Sequence, residues 1–177
     1  SVTASGAGVQ PIVGCQVDLE YVTPQPGEKP RLPAPVVLLA QSERGYEHLM
    51  KLNSCLYLDK GGALPQVTMD ELARYAGDVI CLTGGPMGPV GMLLQNNQRP
   101  AAQAMMDKLH IAFGDRLYVE LQRHPGEGGA PEVERLTERA FVEMAYAMDI
   151  PLVATNDVYF PASKMYEAHD ALICIAE

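Results

Sequence analysis

No run of the 177-residue sequence stays apolar for the roughly 18 residues that a membrane-spanning helix requires. No N-terminal stretch has the basic-then-apolar layout of a signal peptide. Basic residues are scarce: 13 Lys and Arg stand against 22 Asp and Glu, for a formal net charge of −9. Phosphate backbones are held by clustered Lys and Arg, and the closest pairing is Arg135 with Arg139, each flanked by Glu. The sequence therefore predicts neither a nucleic-acid surface nor a membrane segment. Cys-x-x-Cys is absent too. Cys15, Cys55, Cys81 and Cys174 are widely spaced and three lie in apolar segments, which predicts buried free thiols in a reducing cytoplasm rather than zinc or disulfides. No internal repeat or low-complexity tract occurs.

What is present reads as one globular domain, with 47% hydrophobic and 20% charged residues. Residues 1–8 are small and polar, without periodicity, and read as a lead-in. Residues 9–22 read as a strand, with Ile12 and Val13 leading into Gly14-Cys15-Gln16-Val17, then Leu19 and Tyr21 on alternate positions. Residues 23–35 hold five of the fourteen prolines and read as a loop. Val36-Val37-Leu38-Leu39-Ala40 is a buried strand. Ser42 then caps a helix to about Leu58, with Tyr46, Leu49, Met50, Asn53 and Leu56 expected along its inner face. His48 on that helix reads as solvated. Gly61-Gly62 breaks the chain, and Thr68-Met69-Asp70-Glu71 is a capping box opening a short helix.

A third strand at residues 78–83 runs into Gly84-Gly85-Pro86-Met87-Gly88-Pro89. A glycine loop before a helix exposes backbone N–H groups and suggests a phosphate cradle. Here no Walker-type Gly-Lys-Ser/Thr follows, the dinucleotide spacing is absent, and two prolines remove donors, so that reading is set aside. One or two helices follow to Phe113, ended by Gly114-Asp115, with Met92, Leu93, Met105, Met106 and Leu109 as core. Residues 116–122 form a fourth strand. His124 follows in a Pro/Gly loop that opens onto the same end as Gln16 and Asp157. Pro131 starts a helix with Val133, Leu136, Ala140, Phe141, Met144 and Met148 inward. The fifth strand, from Ile150, delivers Asp157, and a last helix to Ala176 places Met165, Ala168, Leu172 and Ile175 on one face. His169, beside Asp170, reads as an N–H donor to a neighbour. Strands alternating with helices predict a mostly parallel β/α assembly, whose sites gather at the carboxyl ends of the strands.

Several wordings, in order, resemble the PHP (polymerase and histidinol phosphatase) domains of bacterial DNA polymerase III alpha subunits. Gln10-Pro11-Ile12-Val13-Gly14-Cys15-Gln16 is similar to the family's K-P-I-I-G-C-E, and Pro35 to Ala40 stands where the family reads H-L-V-L-L-A. Residues 43–52 resemble E-G-Y-x-N-L-M-K-L, residues 82–89 L-S-A-C-L-A-G-E, and residues 117–122 F-Y-L-E-L-Q. Ala154-Thr155-Asn156-Asp157-Val158-Tyr159 stands where metal-binding members carry Asp-Val-His. The resemblance spans Val9 to Glu177. It implies a distorted seven-stranded β/α barrel, of which residues 9–177 form a part lacking the opening His-x-His and Thr-Asp-His segments. The polymerase palm is not included.

The resemblance also implies where metal ligands would stand, and four of the five positions have changed. Gln16 replaces a Glu, Pro35 a His, Gly85 a Cys and Tyr159 a His, while Asp157 keeps its carboxylate. Hydrolysis at bridged ions needs several anionic or imidazole ligands, so these are vestigial positions, with no metal, cofactor or catalytic residue expected. Asp157 is expected to be structural. Metal-free PHP domains of this family imply a scaffold of the polymerase subunit, a docking platform for the proofreading exonuclease (epsilon) subunit and contact with the rest of the alpha subunit. The parent chain would be a cytoplasmic DNA-directed DNA polymerase, and this part itself would not be an enzyme. Two other readings follow the same residues: a residual metal-dependent phosphoesterase or 3′-5′ exonuclease, and a free-standing small-molecule enzyme built on the glycine loop and Asp157. A part of a barrel is further expected to leave residues 9–22 at or near an open edge, and to pair with another copy, swap elements or be marginally stable.

Overall fold

The computed structural model describes residues 2–22, 32–58, 64–124, 131–156, 158–159 and 161–176. The proline-rich residues 23–31, the glycine pair at 61–62, the loop at 125–130, and Asp157 lie outside the described residues. No helix in the described part is long and apolar enough to cross a membrane.

Five strands form one sheet in sequence order: β1 (Gly14–Leu19), β2 (Ala34–Ala40), β3 (Val79–Leu82), β4 (Leu117–Gln122) and β5 (Leu152–Thr155). Among the described residues the sheet does not close, and β1 and β5 are its outermost strands. Seven strands and a closed barrel are not present among the described residues. The mostly parallel expectation needs correction: β3–β4 and β4–β5 are parallel, but β1–β2 and β2–β3 are antiparallel. Alternation of strands and helices fixes a strand's direction only when a single helix returns the chain. Between β2 and β3 two helices intervene, α2 (Glu43–Tyr57) and α3 (Met69–Arg74). The first brings the chain back to where β2 began, and Val67 there bridges Leu19. The second carries it forward again, so that the Gln41 N–H meets the Asp78 carbonyl at 3.0 Å. β3 therefore starts beside the end of β2 and runs against it.

Alternation along the strands separates two faces. Val17, Leu19, Val36, Leu38, Val79, Cys81, Leu117 and Val119 face the core. Helix α2 packs over β1, β2 and β3. Helix α5 (Arg99–Phe113) covers β3 and β4, and α6 (Glu132–Met148) lies on β4. Phe113, Phe141, Met106 and Leu109 fill the space between them. The opposite face carries Gln16, Pro35, Val37 and Glu120, and among the described residues no α-helix of this size covers it.

Helix ends follow local chemistry. The Ser42 side chain accepts from the Gly45 N–H, and Thr68 with Glu71 completes the capping box in both directions. Helix faces depart further from expectation. On α2 the buried residues are Gly45, Leu49, Leu52 and Leu56, while Tyr46 and Met50 are exposed and Asn53 points outward. The face is turned because α2 approaches the Asp78 carbonyl at Gly45, and only Leu49 and Leu56 of the expected set remain inside. On α6, Leu136 is exposed, whereas Glu134 and Thr137 are buried. Residues 2–6 form a short helix, α1 (Val2–Gly6), rather than an unpatterned lead-in. It buries nothing, which is why the sequence shows no apolar stripe there. The expected strand at 9–22 shrinks to β1. The last helix, α7 (Tyr166–Ala176), leaves Leu172, Ile173, Cys174 and Ile175 exposed, so its expected inner face meets no core among the described residues. Only Cys81 of the four free thiols is buried outright.

Candidate functional site

The carboxyl ends of β3, β4 and β5 stand together, and because β2 runs the other way its first residues stand with them. This end of the uncovered face holds a cavity of about 230 Å³. Gln16 of β1 and Val37 of β2 are register partners across its floor. Pro35, Gly84, Met87 and Tyr159 close its sides, and Glu120 and Gln122 of β4 reach it from below.

The turn after β3 is fixed by two glycines. Gly84 adopts φ 77°, and a Cβ there would lie 2.0 Å from the Pro35 carbonyl oxygen. Gly85 adopts φ 56°, and a Cβ there would come within 3.1 Å of the Gln122 carboxamide. These are conformations that side chains other than glycine's tolerate poorly. A short 3-10 turn (Gly85–Met87) and the seven-residue helix α4 (Pro89–Gln95) follow.

Glu120 organises the strand ends. It is 4% exposed and its backbone N–H donates to the buried Thr83 hydroxyl at 3.0 Å. Its Oε2 accepts the Gly84 N–H at 3.0 Å, and its Oε1 accepts the Thr155 hydroxyl at 2.5 Å. One carboxylate thereby ties β4 to the turn after β3 and to β5. The glycine loop does bind an anion, but it is the chain's own side chain. The Gly88 N–H is likewise taken by the Gly84 carbonyl at 2.9 Å. Burial, and then the Glu120 charge, push the Cys81 thiol far above its ordinary range.

The structure places the candidate residues as follows. Gln16, Pro35 and Tyr159 line the one cavity, and Gly85 packs beside Gln122 on its edge. Asp157 is outside the described residues. His124 does not join them as a lone loop residue. Its backbone N–H donates to Glu134 Oε2 at 3.0 Å, and its Nδ1 lies 2.5 Å from Oε1. His48, expected to be solvated, is half-buried, pairs with the Gly77 carbonyl at 2.7 Å and has its ring tilted against that of Tyr75 at 6.0 Å. His169 has its ring 5.2 Å from that of Tyr159. Glu120 and Glu134 were not singled out in the sequence. The signal for Glu120 was a charged residue inside an otherwise apolar strand, and for Glu134 one on the inward period of its helix.

The described residues around the cavity do not make up a divalent metal centre. Among the described residues no three His, Cys, Asp or Glu side chains gather. Gln16 offers a neutral amide, Pro35 and Gly85 offer no side-chain donor, and both oxygens of Glu120 already accept hydrogen bonds.

Residues 1–124 match the PHP domain. Over 98% of its length the chain is 43% identical to part of a protein from Caulobacter vibrioides, "DNA polymerase III subunit alpha", of which it covers 15%. It is 34% identical to the subunit of that name in Rickettsia bellii and 31% to that in Haemophilus influenzae. Each alignment takes in 96% of this chain and 14% of the relative. The chain thus spans about one seventh of the length of these curated relatives, and the similarity runs past residue 124 through β5 and α7.

Proposed function

The chain belongs to the PHP domain family, and from that membership we propose that it serves as the non-catalytic PHP domain of a replicative DNA polymerase III alpha subunit. Its role in that reading is structural. It supports the polymerase fold in the cytoplasm and offers a docking platform to the proofreading exonuclease subunit. Nucleotidyl transfer belongs to other parts of the parent chain.

The observation that carries this reading is the cavity at the strand ends. Three of the positions where metal-binding relatives would hold ligands converge there as Gln16, Pro35 and Tyr159, none of them a ligand of the expected type. The Glu120 carboxylate is engaged in holding strands together. A multinuclear hydrolytic centre needs several anionic or imidazole groups around one point, and the described lining of this cavity supplies one hydrogen-bonded carboxylate and two carboxamides.

The test uses an alpha subunit carrying this chain as its PHP domain. Co-elution with the exonuclease subunit in gel filtration, lost on exchange of this domain for an unrelated one, is the expected result. Unchanged co-elution after the exchange refutes the docking role. Manganese- or zinc-dependent phosphodiester turnover, abolished by substitutions in the cavity, refutes the non-catalytic one.

A further inference from the structure

The cavity contains a carboxylate without a counter-charge. Glu120 makes no ion pair with any described residue, and its two partners, the Gly84 N–H and the Thr155 hydroxyl, are neutral. Two more acceptors face the same space. The Gln16 and Gln122 side chains line the cavity, neither hydrogen-bonds to another described residue, and each carboxamide can turn its oxygen inward. The remaining wall is apolar and aromatic, from Val37, Met87 and the ring of Tyr159.

A hydrogen-bonded carboxylate whose oxygens keep a second lone pair, two carboxamides able to present their oxygens, an aromatic ring and an aliphatic wall together suit an organic cation. A guanidinium or alkylammonium group carries several N–H donors in a small volume and is attracted to a phenol face. Its alkyl stem is accommodated by Val37 and Met87. A hard divalent ion, by contrast, requires more anionic oxygen than two carboxamides and one engaged carboxylate provide. We propose that this cavity is a receptor site for an organic cation, a guanidinium or alkylammonium group, standing where metal-binding relatives would hold their ions. The proposal rests on the metal-free reading of the cavity. The cation has two possible sources, an Arg or Lys side chain of a bound protein or a free polyamine, and both present the same chemistry.

The experiment is a titration of the isotopically labelled chain with methylguanidinium chloride against sodium chloride at equal ionic strength. It follows the side-chain amide resonances of Gln16 and Gln122. Saturable shifts are expected with methylguanidinium alone, with affinity at least fivefold weaker in Gln16→Leu and tenfold weaker in Glu120→Gln. Gln16 is solvent-exposed, so its variant remains informative if Glu120→Gln unfolds. Tighter binding of spermidine than of N-acetyl-arginine amide supports the free polyamine, and the reverse order supports a protein side chain. Shifts that never saturate, or that persist unchanged in Gln16→Leu, overturn the proposal while leaving the metal-free reading intact. Displacement of methylguanidinium by one equivalent of zinc or manganese overturns both.

Discussion

The carboxylate of Glu120 accepts the backbone N–H of Gly84 at 3.0 Å, across 36 residues of sequence. The other oxygen takes the Thr155 hydroxyl from the far side. One side chain thereby joins three consecutive strands, by hydrogen bonds, at the end where the cavity opens.

Removing that acceptor leaves an N–H and a hydroxyl in a confined space without partners, at about 1–3 kcal/mol per orphaned group. Glu120→Ala is expected to lower unfolding free energy by about 2–4 kcal/mol in urea titrations, and Thr155→Val by about 1 kcal/mol. Their double variant should cost less than the sum, since the two share one hydrogen bond.

Gly84→Ala tests the turn itself. Its φ of 77° and the 2.0 Å approach of the Pro35 carbonyl leave no room for a methyl group. A loss of about 2 kcal/mol or more is expected, with amide shifts spreading into β2 around Pro35. A neutral effect would show that the turn is not held against β2.

Thiol chemistry should divide the cysteines. Cys174 is exposed and Cys81 is buried with its ionisation suppressed by burial and by Glu120. In the unfolded chain a cysteine ionises near pH 8.5. The folded state keeps a proton on Cys81 that the unfolded state releases, so this contribution is intact below about pH 8.5 and stability falls as pH rises above it, by up to about 1.4 kcal/mol per unit. Iodoacetamide should label Cys174 readily and Cys81 only on unfolding, with Cys81→Ala flattening the alkaline slope.

The caps at Ser42 and Thr68 were legible because they depend on residues three positions apart. Gln16 and Pro35 stand on β1 and β2, at positions the family's wordings mark, while Tyr159 lies beyond β5 and reaches the same cavity from a loop. Strand direction was not legible. It depends on the path of α2 and α3, which a pattern of strands and helices does not encode. Glu120 escaped notice because its partners are 36 and 35 residues away. The face of α2 was misjudged because a close backbone approach at Gly45, rather than the largest side chains, decides which way the helix turns.

The exposed apolar residues of α7 bear on association. Leu172, Ile173 and Ile175 are solvent-facing, and among the described residues β5 has no strand on its outer side while β1 has only the bridge to Val67 on its own. Such surfaces pair with other chains. Sedimentation of the isolated chain is expected to show concentration-dependent self-association, reduced in Ile173→Lys/Ile175→Lys, with unfolding free energy per monomer changed by less than about 0.5 kcal/mol.

The proposed function has this PHP domain without a metal centre, its strand ends tied together by the Glu120 carboxylate. Isothermal titration of the chain with zinc and with manganese tests it most directly. The account predicts no stoichiometric binding, and the same flat trace for the protein and for its Glu120→Gln variant. Tight uptake of two or more ions per chain, lost on substitution of the residues around the cavity, would contradict it.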